Sequence, residues 1–381
     1  MSGGFFDSFH IGTYCLLPSA RDESHVRDMA ECGIDLIFYV NNDPSLLDLF
    51  YKYGINAVVN GVVPGWFGAD GKNAGTMHEV NTIDKYLAKA KCFTDHPAIV
   101  GIDIGDEPSS LDFPYYGRVA ELLSGIFADK LLYLNIYPSY GMRADAGKEQ
   151  AERELGTGSY REYLESYVKN VKLPYLSIDH YPYSSDISSF VSDLACACEV
   201  AKESERHLMV VLQVNSHDES VFLSEEQLRL EAWCAIAYGA EVISWACYQG
   251  GWWYNNVLDK DGNKTEQYEK LKTVNREIRT FTERYGSYRV TSTAHLDGGT
   301  LKTKYGALSV DGSILVSEMA DKNNSVALLI LPFELNKEVS LTLDCEKAGA
   351  ILSPISKKES DILCGSNKIR LYNEPVFICS K

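Results

Sequence analysis

The chain has 381 residues, with 53 acidic side chains against 36 basic ones and a formal net charge of −17. Without a surplus of cations to neutralise phosphates, nucleic acid and anionic membrane are excluded as main partners, while neutral substrates remain compatible. Hydrophobic residues make up 45% and charged residues 23%, an ordinary globular balance, and the length suits one barrel-sized unit plus a smaller appendage.

From residue 9 to about residue 282, short apolar runs alternate with longer amphipathic ones, the pattern of repeated strand–helix units on a parallel sheet. Predicted strands fall at residues 10–16, 35–40, 57–63, 99–104, 131–137, 175–179, 208–214 and 242–248. Predicted helices fall at 23–32, 45–53, 82–92, 115–127, 160–171, 187–204, 225–238 and 266–282. Gly33, Gly54 and Gly239 stand where helices stop, and Ser224 with Gln227 reads as an N-terminal capping box. Eight such units in succession predict an α/β fold, a (β/α)8 barrel over residues 1–285. An open doubly wound sheet is the competitor, but no glycine-rich phosphate loop follows the first strand. After Tyr285, short alternating runs at 307–310, 314–318, 325–331, 339–343, 368–371 and 376–379 are separated by Asp-Gly, Asn-Asn and Gly-Ser turns. They predict an antiparallel β-sandwich over residues 286–381, joined without a low-complexity linker.

The ten cysteines lie mostly inside apolar runs, and the close pair Cys196 and Cys198 has no second pair to complete a zinc site. Free buried thiols are expected, and with them a cytoplasmic location. No secretory signal or membrane-length apolar segment is visible, and the opening Met1-Ser2-Gly3-Gly4 also fits a trimmed export signal. Membrane insertion is not expected. The sequence leaves the oligomeric state open.

In a barrel of this kind, catalytic groups project from the C-terminal ends of the strands. Those ends offer Tyr14, Asn41, Asp106 with Glu107, Asn135 with Tyr137, Asp179 with Tyr181, Gln213 with Asn215, and Trp245, Tyr248, Trp252 and Trp253. Three carboxylates, several amides and a ring of aromatics would converge on one face. Tryptophans and tyrosines offer flat apolar faces with polar edges, which suit sugar rings, and the two adjacent tryptophans in a glycine-flanked loop read as a sugar platform. The bland alternative, acids capping the next helix and aromatics filling the core, leaves the polar strand ends unexplained.

The segment His96-Pro97-Ala98-Ile99-Val100-Gly101-Ile102-Asp103-Ile104-Gly105-Asp106-Glu107-Pro108 resembles the fourth-strand signature of clan A and related barrel glycoside hydrolases, which closes in Asn-Glu-Pro or Asp-Glu-Pro. The resemblance implies that Glu107 is the general acid. The chemistry agrees, since a carboxyl walled by aromatics keeps its proton to higher pH and can protonate a leaving sugar oxygen. The clan's second carboxylate is expected at the end of the seventh strand, where this chain has Gln213, and an amide cannot form a glycosyl ester.

Two repairs follow. In the first, the substrate's 2-acetamido oxygen attacks the anomeric carbon while Asp106 orients the acetamide. Adjacent Asp-Glu at this strand end resembles the hexosaminidases of families 20 and 123, which implies this substrate-assisted route. Tyr181, Tyr137, Asn135 and Gln213 are the candidates for holding the acetamide. In the second, Asp179 serves as nucleophile or base on a 2-hydroxyl sugar. His180 and His217 lack further ligands at metal spacing, so no metal and no organic cofactor is expected. The reading is an exo-acting glycoside hydrolase whose partner is an oligosaccharide or glycoconjugate. Rivals are an aldolase, weakened by the absence of a strand-end lysine, and a non-catalytic carbohydrate-binding barrel.

Overall fold

The computed structural model describes residues 4–66, 73–141, 154–250, 253–355 and 358–380. Strand and helix alternate from the start: β1 His10–Tyr14, α1 Glu23–Glu31, β2 Leu36–Val40, α2 Pro44–Lys52, β3 Asn56–Val59, α3 Ile83–Lys91, β4 Ile99–Asp106 and α4 Phe113–Ile126. The alternation continues with β5 Leu131–Asn135, α5 Tyr160–Asn170, β6 Tyr175–Asp179, α6 Ile187–Glu203, β7 His207–Gln213, α7 Glu225–Ala237, β8 Ala240–Ala246 and α8 Glu266–Tyr285. Strands β5 and β6 are buried at every position, as strands covered on both faces must be. Local chemistry sets the boundaries. Ser224 and Gln227 exchange the paired bonds of a capping box at the start of α7, and Gly239 follows that helix with φ of 92°.

The eight strands form one parallel sheet in the order β5-β4-β3-β2-β1-β8-β7-β6. Its two edges meet through an Ile136–Ile178 bridge, where the Ile136 amide donates to the Ser177 carbonyl at 2.9 Å. The sheet is therefore a (β/α)8 barrel, as the strand–helix count predicts. Tyr14 stacks on Phe38 at 5.0 Å and Phe38 packs on Tyr133 at 4.3 Å. Aromatic pairs of this kind contribute about 0.5–1.5 kcal/mol beyond area burial.

Contacts divide the chain into two compact units, residues 1–222 with 241–268, and residues 223–240 with 269–381. The second unit holds α7, most of α8 and an antiparallel sheet of order β14-β13-β16-β11-β10-β12-β15, with β9 on β10. These strands are β9 Arg289–Lys302, β10 Gly306–Ala320, β11 Val326–Pro332, β12 Val339–Cys345, β13 Gly349–Leu352, β14 Glu359–Ile362, β15 Gly365–Leu371 and β16 Val376–Ser380. The first part of β10 pairs β12 and its second part pairs β11, so one long strand serves both layers of a sandwich. Leu308, Leu341 and Leu343 from one half meet Leu328, Ile330 and Ile378 from the other in the core between them. Within this unit Arg229 of α7 forms a buried fork on Glu277 of α8, with both contacts at 2.9 Å.

All ten cysteines are free; Cys32, Cys198, Cys234, Cys247 and Cys345 are buried, while Cys92 and Cys364 are exposed. Among the described residues, no helix is long and apolar enough to cross a membrane, and no cluster of three His, Cys, Asp or Glu side chains could hold a metal ion.

Candidate active site

The end of β4 is irregular. Its ladder with β5 skips a residue between Asp103 and Gly105. Strict alternation would send Asp103 and Asp106 to opposite faces of the strand. The bulge brings them together, and the charge of Asp106 acts on Asp103. Gly105 is required here, because a Cβ would lie 2.8 Å from the ring of Tyr116. Glu107 then adopts φ of 44°, a left-handed conformation that costs a non-glycine residue about 1–3 kcal/mol. The bond from its amide to the Asn135 carbonyl, 3.0 Å long, helps to hold that geometry.

Asn135, at the end of β5 and buried, joins the acids. Its amide nitrogen donates to Asp179 at 2.9 Å and to Asp106 at 3.3 Å. Glu107 and Tyr181 also hydrogen-bond Asp179. Four of the predicted residues, Asp106, Glu107, Asn135 and Asp179, therefore form one connected group, with Tyr181 attached. Asp106 opens to solvent at the mouth, whereas Asp179 is buried.

The charges follow from this placement. Burial and the charge of Asp106 push Asp103 up to about 8, against one bond from the Gly105 amide. Burial, then the charge of Asp106, pushes Asp179 up to about 7, against the hydrogen bonds of Asn135, Glu107 and Tyr181. Asp106 is raised by the surrounding protein and drawn back by Asn135. Asp106 is the most exposed of the three, Asp103 being half-buried and Asp179 buried, and its charge raises the other two. Asp103 keeps its proton at neutral pH, and Asp179 titrates there.

Tyrosines line this arc. Tyr137 is buried with its hydroxyl raised by burial and then by the charge of Glu107, and Tyr140 is raised by burial and then by Asp179 and Glu107. Tyr14, at the end of β1, feels Tyr133 and Asp106. Trp253 meets Tyr181 edge-on at 4.5 Å and His217 at 4.4 Å, so one of the two predicted tryptophans stands beside the acids' tyrosine. Trp252 lies outside the described residues.

The remaining predicted residues are placed elsewhere. Asn41 is exposed just beyond β2. Gln213 accepts from the Tyr183 amide at 2.9 Å and donates to Ser184 at 2.8 Å and to the Asn215 carbonyl at 3.0 Å, so its amide braces the loop after β6. Asn215 is buried against Asn256 at 2.9 Å. Trp245 is wholly buried. Tyr248 is buried too, and its surroundings are Cys32, Tyr268 and Asp28, on the helix side of the barrel.

Sequence reasoning passed over Asp103, Tyr39, Tyr133 and Tyr140. Asp103 sits mid-strand, and only the bulge gives it a place in the acidic group. Tyr39 has φ of 60°, is 53% exposed and feels Asp103 and Asp106, because the β2–β3 ladder shifts register between Phe38 and Val40. A polar residue inside an apolar strand was the available signal for Asp103; a bulge leaves no such mark for Tyr39.

No protein-family model matches the chain, and no curated protein matches it in sequence. Solved structures do share its fold. An α-galactosidase I from Mortierella vinacea is 9% identical, with all of both chains covered at a TM-score of 0.57. A Bacteroides thetaiotaomicron protein assigned as an α-L-fucosidase is 12% identical over 70% of this chain and 93% of its own, at a TM-score of 0.51. The chain has the fold of the barrel glycoside hydrolases. At this identity the likeness speaks for architecture, and the case for chemistry rests on the acids.

Proposed function

We propose that the protein is a glycoside hydrolase acting on a 2-acetamido sugar, with Glu107 and Asp179 as a proton-sharing pair and Asp106 as the anionic partner. The observation that carries this reading is the Asn135 amide, which reaches Asp106 and Asp179 at once while Glu107 bonds Asp179. Two carboxyls in hydrogen-bond contact cannot stand on opposite faces of a sugar ring, which needs about 5–5.5 Å for a nucleophile and acid or about 6.5–9.5 Å for a base and acid. They can share a proton, as like charges so close cannot both ionise.

Glu107 passes that proton to the glycosidic oxygen as the bond to the anomeric carbon breaks, and the substrate's acetamido oxygen closes on that carbon. Asp106 accepts the acetamide N–H and stabilises the positive charge that develops. Water then opens the cyclic intermediate and returns a proton to the pair. The likeness of Asp106-Glu107-Pro108 to the families 20 and 123 signature supports this route, as does the amide of Gln213 at the end of β7.

The solvent-facing charge on Asp106 favours a second reading, in which Asp106 attacks the anomeric carbon itself. Turnover of nitrophenyl glycosides with and without a 2-acetamido group separates the two. Substrate assistance requires the acetamido sugars, strong inhibition by a thiazoline mimic and no azide rescue of Asp106→Gly. Direct attack requires 2-hydroxyl sugars to react and azide to rescue that variant as a glycosyl azide. Binding of glycans with no turnover of any glycoside would reject both and leave a carbohydrate-binding barrel.

A further inference from the structure

The group that holds the two aspartates is itself held. Asn135 presents its amide nitrogen to Asp106 and Asp179, so its carbonyl oxygen points the other way and accepts from the Ser177 hydroxyl at 3.1 Å. A serine has one proton to give. With that proton spent on Asn135, Ser177 accepts from the Tyr133 hydroxyl, 3.0 Å away. By the same count Tyr133 accepts from Tyr14, whose hydroxyl it meets. Ser177 and Tyr133 are buried and Tyr14 is half-buried at the mouth. The bonds therefore run one way across the barrel, from β1 through β5 and β6 back to β5, and end on the two carboxylates.

We propose that Ser177 and Tyr133 are positioning residues that lock the Asn135 amide with its donors toward Asp106 and Asp179 and so support negative charge on the pair. An asparagine in this place has two faces of nearly equal shape, one donating and one accepting. If it turned over, its oxygen would face two carboxylates and repel an anion at either. Turning the amide over would also require the hydroxyl chain to reverse, Ser177 accepting from Asn135 and donating to Tyr133, and Tyr133 donating to Tyr14. The titratable groups facing the acids are Asp103, Glu107, Tyr14, Cys15, Tyr39, Tyr133, Tyr137, Tyr140, Tyr181 and Cys247, none of them cationic, so the charge is supported by neutral donors, the Asn135 amide and the Tyr181 hydroxyl among them. The catalytic consequence rests on the hydrolase reading above, but the orientation of Asn135 does not.

The test follows the side-chain carboxyl carbons of Asp106 and Asp179 by NMR across pH 3–9 in the full chain, labelled at aspartate. Ser177→Ala should raise both titration midpoints, by about one pH unit, which is the worth of roughly one hydrogen bond to a charged group. Ser177→Thr, which keeps a hydroxyl, should restore them. Tyr133→Phe leaves the Ser177 donor in place and should move the midpoints in the same direction by less. Midpoints unchanged in folded Ser177→Ala would overturn the proposal; if that variant fails to fold, midpoints unchanged in Tyr133→Phe would do so. The readout needs no turnover, so an inactive wild-type protein with shifted midpoints would reject the hydrolase reading and leave this one standing. With an active protein, the alkaline limb of kcat/KM should move with the NMR midpoints.

Discussion

The arc of strands β4 to β6 and the neighbouring arc of β7 and β8 end in equally polar sequence, yet they are used differently. In the first, Asp103, Asp106 and Asp179 crowd together, and no cationic side chain among the described residues enters their balance. Their proton affinities are pushed apart instead. In the second, Gln213 spends its amide on Tyr183, Ser184 and the Asn215 carbonyl, and Asn215 spends its own on Asn256, while Trp245 and Tyr248 are sealed in the wall. Polarity at a strand end is thus no guide to chemistry; what counts is whether the groups there are carboxyls crowded together or amides committed to neighbouring loops. Crowded like charge marks the site, and amides spent on loop backbone mark the scaffold around it.

The largest test of that contrast is Glu107→Gln. It should lower turnover of an unactivated glycoside by about 10²–10⁴-fold with the fold intact, the usual worth of a general acid. Steady-state rates on methyl and nitrophenyl glycosides check it, the nitrophenyl substrates losing less. Wild-type kcat/KM should also fall above pH about 7, where Asp179 gives up its proton; a flat profile to pH 9 would remove Asp179 from the chemistry.

On the other arc, Gln213→Glu should create no second catalytic acid. It replaces a donor to Ser184 and the Asn215 carbonyl with an acceptor, and should destabilise the protein by about 1–3 kcal/mol in urea unfolding at neutral pH. A gain in glycosidase rate would contradict the division of labour between the two arcs.

Asp103 gives a smaller effect with a definite sign. Its carboxyl holds a proton to about pH 8 when folded and to about pH 3.9 when unfolded. The native state therefore binds more protons between those values, and its contribution to stability is lost as pH rises through that window. Asp103→Asn should be more stable than wild type at pH 8, by at least about 1 kcal/mol, or ~2–4 °C in Tm. The difference should close toward pH 4. Thermal melts at pH 4, 6 and 8 decide it. Smallest of all, Trp253→Ala should leave kcat within about twofold and weaken glycan binding by about 1 kcal/mol, read by calorimetry, since it removes an aromatic face without touching the acids.

Much of this was legible in residue order. Period and length fixed the barrel, and the strand ends fixed the acids of β4 and β6. What escaped depended on one extra residue in a ladder. The bulges at Asp103–Gly105 and Phe38–Val40 redirect Asp103 and Tyr39 against the alternation that a sequence reading assumes. In the second unit, β9 escaped for a related reason. It is largely exposed along its length, carries Gly298 and Gly299 and gives the core only scattered apolar side chains such as Leu296 and Leu301, and β10 gives it a long partner. The roles of Gln213 and Tyr248 were hidden differently: a side chain's identity is written in the chain, but whether its amide is spent, as in Gln213, or its ring is buried in the wall, as in Tyr248, is settled only by its neighbours in space.

The barrel closes at a single seam, between β5 and β6, where the Ile136–Ile178 bridge joins the two edges of the sheet. One residue before that bridge on one strand and one after it on the other stand Asn135 and Asp179, bonded at 2.9 Å. The same pair that sets the acids also fastens the hoop. A lineage altering this site to suit another substrate would be working on the clasp of its own barrel, so changes in chemistry and in architectural integrity would be inherited together.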